Sequence, residues 1–239
     1  MSRKIKIALD IAFGFVVPLL VLNNFSKPLG AVFTYILAAL VPLAWILIDS
    51  FFITRRFNFI TSYIGAFAIA RGLLAFWFVD GVQFAFKDTV GSILTILVFG
   101  ISIVIHRPIM YYFLMQGMGP ESPRQERSLR ALLTEPKVYR SLVRGTQIIL
   151  IVNLLIGITN FHLNLQIVTA DFGTTAFNQQ VALVNAMTQV VFTLAEFVGA
   201  GIAAVFIRRA MFYYLPQEPG KEQDESDFWD LLRLRDIAK

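Results

Sequence analysis

Apolar runs of about 20 residues alternate along this chain with short clusters of charge, and a run of that length crosses the hydrocarbon core of a bilayer as one helix. Six runs stand out, at 5–22, 29–48, 59–79, 89–105, 146–165 and 181–207. The pattern predicts an all-α, polytopic membrane protein, with a bundle of about six transmembrane helices inside residues 1–215. The first run follows Arg3, Lys4 and Lys6, as in a secretory leader. It is too long for one, and Asn23-Asn24-Phe25 stands where small residues would mark a cleavage site. A retained helix is therefore expected. Pro18 and Pro42 fall inside the first two runs, where each removes a backbone hydrogen bond and predicts a kink.

Between the fourth and fifth runs lies a polar, proline-punctuated linker, 107–141. Within it Ser122-Pro123-Arg124-Gln125 has the form of a helix start: Ser caps, Pro takes the first turn, and Gln closes a capping box. Leu129, Leu132 and Leu133 then form one apolar stripe, suited to lie against the membrane or the bundle. The tail, 216–239, begins acidic and ends in a short amphipathic pattern carrying Phe228, Leu231, Leu232 and Leu234.

Basic residues give the orientation. With the N-terminus inside, 18 of the 21 Lys and Arg lie on the inner side, while Lys27 and Lys87 are outside and Arg71 is within a span. The excess of cations marks the cytoplasmic side, so both ends are expected there. The stretches Arg107-Pro108-Ile109-Met110-Tyr111-Tyr112-Phe113 and Arg208-Arg209-Ala210-Met211-Phe212-Tyr213-Tyr214 echo one another after two such spans. Either a two-helix unit was duplicated, or cations and aromatics simply share a preference for the inner interface.

Composition sharpens the class. Residues are 56% hydrophobic and 15% charged, against roughly a quarter charged in soluble domains. The absence of cysteine removes disulfides and thiolate chemistry together. The net charge of +5 is distributed at the ends of apolar runs, so lipid headgroups are the expected counter-charge and nucleic acid is not an expected partner. No phosphate-cradling glycine loop, nucleophile elbow or zinc-binding helix occurs, and the linker is too short for a nucleotide domain. No enzyme activity, cofactor or metal site is expected, although a bound lipid is compatible with the pattern.

Ionisable groups in hydrocarbon are costly and face bundle interiors or water-filled cavities. Asp10, Arg71 and Glu196 are the three in question, with Asn153 and Gln189 near enough in depth to extend a polar interior. They line a substrate or proton pathway, or else Arg71 and Glu196 form an ion pair locking the third span to the sixth. Small residues at four-residue spacing, among them Ala66 and Ala70, and Ala195, Gly199 and Ala203, favour close helix packing and so the second role. At the outer face Asp80, Lys87 and Asp88 are candidates to receive a ligand, but Asp88 is also well placed to cap the fourth helix. His106 and His162 fall on opposite sides of the membrane and cannot share a metal within one chain.

The segment Phe86-Lys87-Asp88-Thr89-Val90-Gly91-Ser92, leading to His106-Arg107-Pro108-Ile109-Met110, resembles a bacterial integral membrane family. That family is distantly similar to the inner-membrane intracellular septation protein A family. Tyr139-Arg140-Ser141-Leu142-Val143-Arg144 fits the same pattern before the fifth helix. The resemblance implies a bacterial cytoplasmic membrane and a six-helix bundle. The septation-related members look like envelope or division factors working through protein contacts, and this chain departs from them in its length and its acidic tail. Two functions follow as expectations. One is a non-enzymatic scaffold or accessory subunit of a larger membrane complex; the other is a small-molecule or ion transporter with a polar interior around Arg71 and Glu196. The expected partners are membrane lipids and either a membrane-protein complex or a second copy in a homo-oligomer.

Overall fold

A computed structural model describes residues 79–172, 174–217 and 226–237, and before them only separate positions between 9 and 77. The chain divides into two compact units, Met1–Val79 and Asp80–Lys239. Among the described residues every regular element is helical. In the first unit Ala12–Val16 is a π-helical turn. Phe13 stacks on Trp45 with ring centroids 4.7 Å apart.

The second unit contains α1 (Gly81–Val104), α2 (Ile109–Gly117), α3 (Pro123–Leu133), α4 (Pro136–Ile167), α5 (Thr175–Phe212) and α6 (Phe228–Ile237). Three of these, α1, α4 and the stretch Gln179–Phe212 of α5, are long and apolar enough to cross a bilayer. The protein is a membrane protein on this measure. At 1.5 Å per residue α4 is about 48 Å long and α5 about 57 Å, against a hydrocarbon core of roughly 30 Å. Both are longer than that core is thick.

The three long helices are antiparallel neighbours, with α4 packed on both α1 and α5. Glycines set the approach. A Cβ on Gly157 of α4 would lie 3.0 Å from Ser92 Cβ of α1, and one on Gly199 of α5 would lie 2.9 Å from Val152 Cγ2 of α4. Ala203, 2% exposed, continues the α5 stripe. The small residues at 199 and 203 thus serve a contact with α4. Hydroxyls inside these helices are satisfied locally: Thr89, Thr95, Thr146 and Thr188 each donate to the carbonyl four residues back, at 2.8–3.0 Å.

Helix α1 begins eight residues before the expected 89, so 80–88 is not a loop. Gly81 has φ 55°, and a Cβ there would meet nothing within 4 Å. Its requirement is conformational, the left-handed turn that lets the chain enter the helix. Likewise α4 starts ten residues before the expected 146 and α5 six before 181. Apolar windows mark the lipid-crossing part of a helix, whereas its backbone ladder continues into the polar interface.

The other end of α1 explains His106-Arg107-Pro108. His106 has φ 57°. Its N–H donates to Ile103 O at 3.0 Å, and Arg107 N–H donates to Ser102 O at 2.9 Å. This is a Schellman stop, with histidine in the position usually held by glycine and a proline after it. The Tyr139 hydroxyl donates to His106 O at 3.0 Å, tying the turn to α4.

Beyond the spans, α3 opens through the capping box: Ser122 Oγ accepts from Gln125 N–H at 3.2 Å, while Gln125 Oε1 accepts from Ser122 N–H at 3.3 Å. Its stripe, Leu129, Leu132 and Leu133, is fully buried. It joins Val138 and Leu142 of α4, Ile207 and Met211 of α5, and Leu231 and Leu232 of α6 in one core. Both echoed segments meet here, since Met110 packs against the core that holds Met211. They differ locally: 109–113 opens a separate helix, whereas 208–212 is the last turn of α5. The result is a helical cap over one end of the long helices.

Candidate functional site

The polar residues singled out in the sequence separate in the structure. Asp10 and Arg71 lie outside the described residues, and so does any pairing of Arg71 with Glu196. Asn153 is buried on α4 and donates to Ile149 O at 3.1 Å, within its own helix. Gln189 and Glu196 sit on exposed faces of α5. These three therefore do not form one polar surface.

A different cluster forms between α1 and α4. Asp88 is the eighth residue of α1, so it caps nothing, and Asp80 holds the N-cap position. The Asp88 Oδ2 accepts from Asn160 Nδ2 and from Asn164 Nδ2, each at 2.9 Å. Asn164 is 1% exposed and also donates to Asn160 O at 2.9 Å. The two asparagines are one turn apart on α4 and present both amides to one carboxylate oxygen. Gly157, one turn earlier, brings α4 close enough to Thr89 and Ser92 of α1 for these bonds to form. Asn160 and Asn164 were missed in the sequence, although two amides at four-residue spacing in an apolar run were a usable signal.

Around this cluster the end of the helices is closed by side chains. Asp80 Oδ2 accepts from Phe172 N–H at 3.3 Å. Gln180 Oε1 accepts from Thr169 and Ala170 N–H, at 3.0 and 2.9 Å. Phe177 meets Phe84 and Phe172 edge to face, at 5.0 and 5.4 Å between centroids. Lys87 is half-buried beside Asp88. Among the described residues no group of three or more His, Asp or Glu could hold a metal.

No family model, curated protein or solved structure matches this chain.

The arrangement at Asp88 joins two spans. Asp88→Leu should cost about 1–2 kcal/mol, because buried amides lose an acceptor inside the membrane. Asp88→Asn keeps an acceptor oxygen and should retain most of the stability. Unfolding free energies in bicelles check this, with Asn164→Leu as the second arm of a double-mutant cycle. Additive losses from Asp88→Leu and Asn164→Leu would contradict the contact.

The cap has its own polar joints. Arg235 of α6 pairs with Glu135, which precedes α4, and Ser128 of α3 donates to Asp236 of α6. Tyr111 of α2 is half-buried, and burial raises its phenol above the ordinary range, with Arg130 opposing the shift. At the same end Lys137, Arg140 and Arg144 of α4 and Arg209 of α5 share a groove.

Proposed function

We propose that the chain is a non-enzymatic membrane scaffold or accessory subunit of a larger membrane complex. In this reading it crosses the bilayer six times with both ends on the cytoplasmic side, where the cap lies. The observation that carries the reading is the cap itself. Linker and tail, separated in sequence by two spans, fold onto the ends of α4 and α5 around one leucine-rich core. Its outer side carries charged side chains, among them Arg124, Arg127 and Arg233. A built surface of this kind suits protein contacts outside the lipid. The buried polar groups of the long helices, by contrast, are engaged within their own helices or, at Asp88 with Asn160 and Asn164, in joining two of them. The excess of Lys and Arg at this end supports a cytoplasmic placement. The resemblance of 86–92 and 106–110 to a bacterial integral membrane family, itself only distantly similar to the septation protein A family, is the ground for a bacterial cytoplasmic membrane.

Mild extraction from the native membrane followed by native mass spectrometry tests the reading. A stoichiometric partner is expected, lost when Arg124 and Arg233 are both replaced by Glu. A lone chain or homo-oligomer with unchanged composition would sink it. The transporter alternative has one supporting observation, the carboxylate of Asp88 held within candidate spans, since such groups line ion pathways. Loss of flux in Asp88→Asn at normal abundance, in a chain without partners, would favour it.

A further inference from the structure

Four cations at the cap end of the long helices face one groove. Lys137, Arg140 and Arg144 are spaced three, then four residues apart and share one side of α4. Arg209 faces them from antiparallel α5, flanked one turn either way by Phe206 and Tyr213. The groove holds about 310 Å³, and no acidic side chain lines it among the described residues. The two arginines of the α4 row, Arg140 and Arg144, are exposed, as is Arg209. Four like charges around one groove attract an anion from outside the chain.

The aromatic wall shows which side of the groove is oriented. The Lys137 ammonium lies 3.2 Å from the centroid of the Tyr213 ring, a cation–π contact. Lys137 lowers the Tyr213 phenol, by hydrogen bonding first and by its charge second. Toward the membrane, Phe206 leads into Val205, Ile202 and Val198, all exposed apolar residues of α5. The groove therefore has a cationic mouth at the level where α4 and α5 leave the lipid, and an apolar surface running down into it. A soluble phosphate would use only the first of these features. A phospholipid uses both.

We propose that this groove binds the phosphate of an anionic phospholipid, with its acyl chains lying along the exposed apolar face of α5. The inference rests on the membrane character of the chain and not on the scaffold reading, because the lipid is bound by the isolated protein. Basic pockets between spans on the cytoplasmic side suit such headgroups, and each cation near the surface contributes a factor on the order of five in affinity.

The test is native mass spectrometry of the purified full chain in detergent, titrated with phosphatidylglycerol or with phosphatidylcholine. The expected result is a preference of about tenfold or more for phosphatidylglycerol. Replacing Arg140, Arg144 and Arg209 together by Gln should bring that preference to about twofold or less, whereas replacing all three by Lys should keep most of it. A second triple variant, Arg124, Arg127 and Arg130 of α3 to Gln, should leave the preference unchanged. Circular dichroism and size exclusion confirm that each variant keeps its helices and its size. An equal loss in the α3 variant would overturn the proposal in favour of diffuse charge attraction. So would an unaltered preference in the groove variant, or full displacement of the lipid by millimolar inorganic phosphate, which would make the site one for a free anion.

Discussion

Replacing Glu135 by Ala should detach α6 from the cap while leaving α1, α4 and α5 packed. Arg235 is 5% exposed and Glu135 20%, so the ion pair between them is largely withdrawn from water. Removing one partner of such a pair strands the other charge, at about 3–5 kcal/mol. Here the penalty falls on a guanidinium that already has its Nη1 buried without a hydrogen-bond partner among the described residues. The loss is bounded by the docking energy of α6, because a ten-residue terminal helix can leave the cap without unfolding the spans. Hydrogen exchange at the amides of 228–237 should rise to rates near those of an unprotected chain. Arg235→Met is the informative control. It removes the charge and fills the same space, and replacing a buried ion by an apolar side chain is often neutral or stabilising. If Met and the Glu135→Ala variant expose α6 equally, the pair is not what governs docking.

Much of this fold is visible in the sequence where the cause is local. The α3 capping box needs only Ser122, Pro123 and Gln125, all within one turn, and its apolar stripe needs only the helical period. The long helices are visible through hydropathy, but their ends are not. Gln83, Lys87 and Asp88 break the apolar window of α1, so the sequence places the start of the helix after them. Yet those positions occupy two regular turns, since a backbone ladder does not require an apolar surface. The stop at His106 was readable from the proline after it. That histidine would take the left-handed position was not, because glycine is the ordinary choice there.

The candidate site was less legible, and the reason is distance along the chain. Asp88 acquires its role from Asn160 and Asn164, 72 and 76 residues away. From sequence alone a carboxylate near a helix start looks like a cap, which is a local answer to a long-range question. The stripe at Gly199 and Ala203 shows the same limit. Four-residue spacing announced a close helix contact, but only coordinates name α4 as the neighbour. For the groove, the row Lys137, Arg140, Arg144 reads in the sequence only as part of the cation excess that gives the orientation. What it faces depends on α5, whose contribution at Arg209 lies 65 residues beyond Arg144 in the numbering.

Two leucines of the second unit should respond very differently to the same truncation. Leu132→Ala is expected to destabilise the cap by about 2–5 kcal/mol, and Leu194→Ala to change stability by no more than about 0.5 kcal/mol. Leu132 is 0% exposed in a core formed by four helices, whereas Leu194 is 59% exposed on α5. The difference is not only packing. The cap buries its leucines out of water, so each truncated side chain forfeits transfer energy and leaves a cavity. On a span the alternative environment is lipid, which is as apolar as leucine, and there is little transfer energy to lose. Hydrogen exchange at the amides of 123–133 reports the first variant, and unfolding in bicelles reports the second. If Leu194→Ala proves as costly as Leu132→Ala, then protein rather than lipid covers that face of α5. If the costs separate as expected, the cap is held by the hydrophobic effect in water and the spans by close backbone approach at Gly157 and Gly199.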